Sequence, residues 1–242
     1  MSASVPPPAA LILGASGTLG GAVARTLAAR GYALGLHAHQ HPERVPEAPP
    51  GSKAYRADFR ETGAAEELAK AFLADFGKLD ALVWAAGISH DAPVAAQDEA
   101  DLREVLAVNL TAPFLLSKAL ARTFLKQKRG RVVWIGSHAG LSGRAGGAAY
   151  AMAQSGLLAL AKSLAREWGP TGVQVHAVIP PFVRDSGMGR TASAEFVEAV
   201  QKRNVFRPDT DPAEAVAAFV ANLLEQATSS GQVFVLDARI VP

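Results

Sequence analysis

The sequence predicts a single α/β domain in which short buried strands alternate with amphipathic helices. Three observations carry this expectation. Apolar runs of strand length recur along the chain, with helix-length periodic segments between them. The first run, Ala9–Leu13, passes through a glycine turn straight into a helical pattern, which is the order of a parallel strand–turn–helix unit. The 242 residues, nearly half of them apolar and 22 of them glycine, are enough for one sizeable core with helices packed closely on a sheet.

Composition narrows the class of function. The formal net charge is +2, with no basic block, RNA motif or aromatic-rich basic stripe, so a nucleic-acid partner is not expected. There is no cysteine, which excludes disulfides and thiolate chemistry and agrees with a cytoplasmic setting. The N-terminal stretch lacks a charged leader region, and its apolar run is too short for a signal peptide. No charge-free segment of membrane-spanning length is present, and no internal repeat is visible.

Taken in order, residues 1–8 read as a disordered leader, because Pro6, Pro7 and Pro8 cannot join a strand ladder. Residues 9–242 read as the one domain. After the first strand come Gly14, Ala15, Ser16, Gly17, Thr18, Leu19 and Gly20, then a helix over 21–30. Gly14 permits a tight turn, while Gly17 and Gly20 let a pyrophosphate and the sheet approach the helix N-terminus. Ser16, Thr18 and Leu19 fall in the same turn; the alternative is an ordinary strand-to-helix connection. The second strand, over 32–36, is followed by His37, His39, Gln40, His41 and Arg44, with no acid before Glu43. An acid at that strand end would hold the 2′-hydroxyl of NAD. Its absence favours NADP, whose phosphate could meet His39, Gln40 or Arg44. The alternating histidines also raise a metal site, against which stands the plainer reading of a polar loop; no metal is assigned.

A strand over 54–57 ends at Asp58, which could cap a helix. A helix over 61–76 and a strand over 79–84 follow, then Ala85, Ala86 and Gly87, small enough to let a ligand pass. Residues 98–128 read as one long helix, with the polar Asn109 among apolar neighbours and Pro113 as a possible kink. Lys126, Lys128, Arg129 and Arg131 close it, either as a solvated face or as a landing site for an acidic protein. Strands over 173–179 and 231–237 and a helix over 212–224 complete the chain.

The chemistry concentrates between Arg131 and Trp168. A β-branched run ends in Gly136-Ser137, a glycine-rich loop follows, and a helical pattern starts near Tyr150. A hydroxyl and a phenol converging on a carbonyl oxygen form a proton-donor pair. This stretch resembles the active-site segment of the short-chain dehydrogenase/reductase family, and the likeness extends over residues 9–241. The resemblance implies a Rossmann-type, doubly wound parallel sheet of about seven strands with helices on both faces. It implies catalytic roles for Ser137, for Tyr150 thirteen positions on, and for Asn109 as the fourth member of the set. Where the family carries a Lys four residues after the Tyr, this chain has Gln154.

The resemblance further implies NADP(H) binding by Gly14, Ser16, Gly17, Thr18, Leu19, Gly20, His39, Asp58 (against the adenine), Ala85, Ala86, Gly87, Tyr150, Gln154 and Pro180. Thr18, Trp84, Pro181 and the pair Ala238-Arg239 depart from the family's pattern, and residues 184–206 resemble its mobile substrate lid. The implied partners are a small-molecule or acyl-thioester substrate, an acyl carrier protein at the basic helix end, and a homo- or hetero-oligomer. Its contact would be made by the helices over 98–128 and 150–168, the second through Leu157, Leu160, Ala161 and Leu164. Two readings follow. One is an NADP-dependent carbonyl reductase, with 3-oxoacyl groups as a candidate substrate class, weakened by the missing charge at Gln154, with His138 and His90 as substitute acids. The other is a non-catalytic subunit that keeps the fold and partners an active paralogue.

Overall fold

The computed structural model describes residues 6–206 and 209–239. Its strands are β1 (Ala9–Leu13), β2 (Ala33–Ala38), β3 (Lys53–Arg56), β4 (Ala81–Trp84), β5 (Gly130–Ile135), β6 (Val173–Ile179) and β7 (Val233–Val235). They form one sheet in the order β3-β2-β1-β4-β5-β6-β7, with every neighbouring pair parallel. The helices are α1 (Thr18–Ala29), α2 (Ala64–Phe76), α3 (Glu99–Leu106), α4 (Ala112–Gln127), α5 (Ala139–Ser142), α6 (Ala148–Trp168), α7 (Ala194–Lys202) and α8 (Pro212–Glu225).

Helices cover both faces, so the central strands are buried on both sides and read as unbroken apolar runs. Leu11 and Leu13 pack with α2, α4 and α6. Ala10 and Ile12 pack with α1 and α8. The chain runs outward from β1 through β2 to β3, then returns to the other side of β1 at β4. That reversal opens a crevice at the carboxyl ends of β1 and β4, where ligands bind in sheets of this kind.

Local differences from the expected elements have identifiable causes. Helix α1 starts at Thr18 rather than Gly21, because Gly20 lets the first turn settle against Gly14: an added Cβ at Gly20 would lie 2.2 Å from the Gly14 carbonyl oxygen. Strand β2 runs on to Ala38, so His37 belongs to the sheet and not to a polar loop. Pro42–Arg44 makes a short 3₁₀ turn. The last strand keeps only Val233–Val235, and α2 begins three residues late, after Gly63 in a left-handed conformation (φ 86°).

The long helix over 98–128 is not uniform. Between α3 and α4, residues Ala107–Thr111 adopt a π turn, and Pro113 sits in the first turn of α4 with no clash to resolve. By length and composition the continuous Glu99–Gln127 segment could cross a bilayer, yet it buries Val105, Leu116, Leu120 and Phe124 in the fold. Pro8, placed in the leader expected over 1–8, is tied down, its carbonyl accepting from the Ala33 amide at 2.9 Å; residues 1–5 lie outside the described residues. The oligomer face expected on α6 also needs correction. Leu157, Ala161 and Leu164 are buried in the chain's own core because they are the side of α6 that faces the sheet, and Leu160 is half-buried against them.

Candidate active site

The crevice is a cleft of about 1030 Å³. It is lined by the residues expected in a site except Gly20, Asn109 and Arg44. Gly14 opens it with φ 80°, and an added Cβ there would meet the Ala86 amide nitrogen at 2.7 Å, so only glycine fits between β1 and the loop after β4. Gly17 bonds back to the Gly14 carbonyl at 3.0 Å, and α1 follows with no side-chain cap and no acid in its first turn. Its free amides are thus available to an anion beside Ser16 and Leu19. The Thr18 hydroxyl donates to the Asp185 carbonyl at 3.1 Å, bringing the lid segment over the turn.

The three histidines do not converge. His37 is buried, accepting from the Gly14 amide at Nδ1 (3.2 Å) and donating to the Ala57 carbonyl from Nε2 (3.0 Å). Burial holds it neutral, with its pKa lowered to about 4. His39 turns to Asp58 at 3.3 Å, while His41 pairs with Glu43. Among the described residues no group of three His, Cys, Asp or Glu could hold a metal ion. Asp58 is engaged mainly by Arg60, which donates to both carboxylate oxygens and holds the carboxyl pKa down to about 2. Arg44 is paired with Glu43 and does not line the cleft; Arg60 does.

Ser137 stands two residues past β5, and its Oγ accepts from the Ala139 amide at 3.2 Å. Across the loop α6 brings in Tyr150, 8% exposed, with Ser137 beside its phenol in the same cleft. Burial raises the phenol pKa above its ordinary value; Ser137 and Arg144 pull it down, and Asp91 pushes it up. Gln154, one turn further along α6, is buried with its Oε1 unpartnered at the cleft wall. Asn109 bridges the backbone of Ile88, next to Gly87. His138 shares its Nδ1 with the Ser142 hydroxyl at 2.9 Å and has a buried, unpartnered Nε2. His90 pairs with Glu104 at 3.3 Å. Trp84 is core packing and also donates to the Ala86 carbonyl at 2.8 Å, stiffening the cleft floor.

The arrangement fits a dinucleotide. A glycine turn and helix N-terminus suit the pyrophosphate, small residues at 85–87 line its path, and an orphaned buried amide oxygen awaits a hydroxyl donor such as a ribose. Sequence reasoning missed Arg60, Arg144 and the stitching role of His37. Arg144 lay in view inside the glycine-rich loop, six residues before Tyr150, but no spacing rule singles it out.

A doubly wound sheet with a serine and a tyrosine meeting beside a glycine turn defines the class. The family described as short chain dehydrogenase matches residues 8–196, and the chain belongs to that family, as an oxidoreductase. Among its relatives, the 3-oxoacyl-[acyl-carrier-protein] reductase FabG of Escherichia coli (strain K12) is 35% identical over 187 residues, 76% of each chain. Nodulation protein G of Rhizobium sp. (strain N33) is 32% identical over 229 residues, 92% of each. A solved dehydrogenase/reductase from Sinorhizobium meliloti 1021 superposes with a TM-score of 0.84 at 30% identity, covering 98% of this chain and 96% of that one.

Proposed function

We propose that the protein reduces a carbonyl with NADPH, the substrate class being a 3-oxoacyl thioester, free or carried on an acyl carrier protein. The observation that carries this reading is the Ser137–Tyr150 contact at the inner end of the dinucleotide-shaped cleft. When bound, the nicotinamide supplies the hydride. The chain's own groups do the rest. Ser137 and Tyr150 hydrogen-bond the carbonyl oxygen, and Tyr150 gives it a proton as negative charge develops there. Gln154 offers its amide to the nicotinamide ribose but no charge to the phenol. A neighbouring cation lowers a pKa by about 1–3 units, so its loss weakens proton transfer by roughly 10- to 1,000-fold.

Preference for NADP rests on His39 and Arg60 at the end of β2 and β3, where a 2′-phosphate would sit. Asp58 beside them is already paired with Arg60, which also reaches Glu104 at 3.7 Å. The relatives' reductase names support the 3-oxoacyl class, and the basic end of α4 (Lys126, Lys128, Arg129) would face an acidic carrier protein. A cytoplasmic setting and an oligomeric state complete the reading.

The test is a titration of NADPH and NADH by tryptophan fluorescence, followed by NADPH consumption with ketones and oxoacyl thioesters. Trp84 reports directly, being bonded to the cleft floor. NADPH should bind more tightly than NADH, and an oxoacyl thioester should drive its oxidation. Equal or reversed affinity removes the NADP assignment, and NADPH binding without turnover of any thioester removes the substrate class.

A further inference from the structure

The positive charge absent at Gln154 has a counterpart on the opposite side of Tyr150. Arg144 reaches back from the glycine-rich loop, and its guanidinium carbon lies 5.6 Å from the centre of the Tyr150 ring. Its position is built, not incidental. Gly147 makes room for it: a Cβ there would sit 2.5 Å from Nε, 2.8 Å from Nη2 and 3.0 Å from Cζ of Arg144. Nη2 donates to the Ser89 hydroxyl at 3.0 Å and to the Asp91 carboxylate, so the loop after β4 clamps the other side. Nε is buried and has no hydrogen-bond partner, although a guanidinium has no neutral form to retreat to.

Apolar residues pack against Tyr150 on its core side: Val105 from α3, Ala139 from α5, and Ala149 and Ala153 from α6. The charged groups that act on the phenol are Arg144 and, in the opposite sense, Asp91; Ser137 beside it also lowers its pKa. His90 is the next titratable group on the same loop and is taken up by Glu104 and Asp101. A cation over an aromatic face is attracted to the ring, and more strongly once the ring bears a phenolate.

We infer that Arg144 is a positioning residue for Tyr150: clamped between Gly147, Ser89 and Asp91, its guanidinium supplies from the loop side the positive charge that Gln154 lacks, and Asp91 sets how much of it the phenol feels. This rests on the reading of Tyr150 as proton donor. It differs from a lysine on the helix in one respect: the charge is tied to a carboxylate and to a loop, so it can be graded by loop position and by the state of Asp91.

The experiment titrates the Tyr150 phenolate by its near-ultraviolet absorbance, which needs no turnover. The chain has three tyrosines, so the difference between parent and Tyr150→Phe isolates the one signal. Arg144→Gln should raise the midpoint by about one pH unit, Arg144→Lys should keep it near the parent, and Asp91→Asn should lower it. An unchanged midpoint in Arg144→Gln, or no Tyr150 phenolate in any variant below alkaline unfolding, overturns the inference. A midpoint in Asp91→Asn that stays or rises overturns the role given to Asp91. In NADPH-dependent reduction, Arg144→Gln should slow the parent about tenfold at neutral pH and move its pH profile upward. The same change in a Gln154→Lys background should cost little; an equal cost in both overturns the shared role. A shifted phenolate with no carbonyl reduction by any variant keeps the charge assignment and removes the reductase reading. An unshifted phenolate with reduction that depends on Tyr150 does the opposite.

Discussion

Asn109 grips the backbone of Ile88 with both ends of its amide, accepting from the Ile88 amide at 3.0 Å and donating to the Ile88 carbonyl at 2.7 Å. The π turn at Ala107–Thr111 is what carries Asn109 within reach of the loop after β4. Asn109→Leu leaves both backbone groups unpaired at a half-buried position, at about 1–2 kcal/mol each. The expected loss is roughly 2–4 kcal/mol in urea unfolding, with weaker NADPH binding because Gly87 and Ile88 line the cleft. A loss under about 1 kcal/mol would mean that water replaces the amide without cost.

Gln154→Lys places an ammonium one helical turn from Tyr150. A cation there lowers the phenol pKa, so carbonyl reduction at neutral pH should rise. The expected gain is about tenfold, at the low end of what a cation confers, because Arg144 already contributes. Tyr150→Phe should abolish reduction in both backgrounds. Activity that survives Tyr150→Phe would point to another donor in the cleft, His138.

His37 links pH to folding. Its native pKa of about 4 lies below the ordinary histidine value of about 6.5, so the unfolded chain binds its proton first as pH falls. The contribution of neutral His37 is therefore present above pH 6.5 and is lost as pH falls towards 4. The loss is roughly 3 kcal/mol over that window. His37→Gln should flatten the dependence of unfolding free energy on pH between those limits, whatever it does to stability at pH 7. An unchanged slope would show that the ring is already protonated in the folded chain.

Arg60 is expected to decide between the two dinucleotides. A charge-assisted bond to a 2′-phosphate contributes about 1.5–3 kcal/mol. Arg60→Ala should then weaken NADPH by about tenfold or more and leave NADH almost unchanged, as read by tryptophan fluorescence. An equal loss for both would assign Arg60 to holding Asp58 and nothing more.

What the sequence disclosed and what it withheld divide along the range of the interactions. The glycine turn, the small residues at 85–87 and the thirteen-residue spacing of Ser137 and Tyr150 are local patterns, and each is met in the cleft. His37 was misread because a buried histidine is recognisable only by its partners, Gly14 and Ala57, about twenty residues away in either direction. Arg44 and Arg60 are equally basic in sequence; only the crossing of β3 beside β2 chooses Arg60. The clamp on Arg144 joins residues from two loops more than fifty positions apart. No periodicity announces such a contact.

The same distinction bears on assembly. The apolar residues Leu157, Ala161 and Leu164 are spent on the sheet, so a contact between chains must use the outer side of α4 and α6. There Phe114 is 53% exposed and Met152 57%, with Leu125 further along α4. Single exposed apolar residues are ordinary, but these stand on two helices that touch each other. A stable dimer buries roughly 1,200–2,000 Å² in total, within reach of two helices from each chain forming a four-helix contact. The protein should scatter light as a dimer or tetramer at micromolar concentration. Phe114→Asp combined with Met152→Asp should yield a folded monomer, since neither side chain is needed by the core. Both substitutions lie away from the Ser137–Tyr150 contact, so NADPH affinity should change little unless assembly orders the cleft. A parent that is monomeric at that concentration would overturn self-association through this face. An oligomer that survives the double substitution would place the contact elsewhere, with the exposed Val235 on the edge strand β7 the next surface to test.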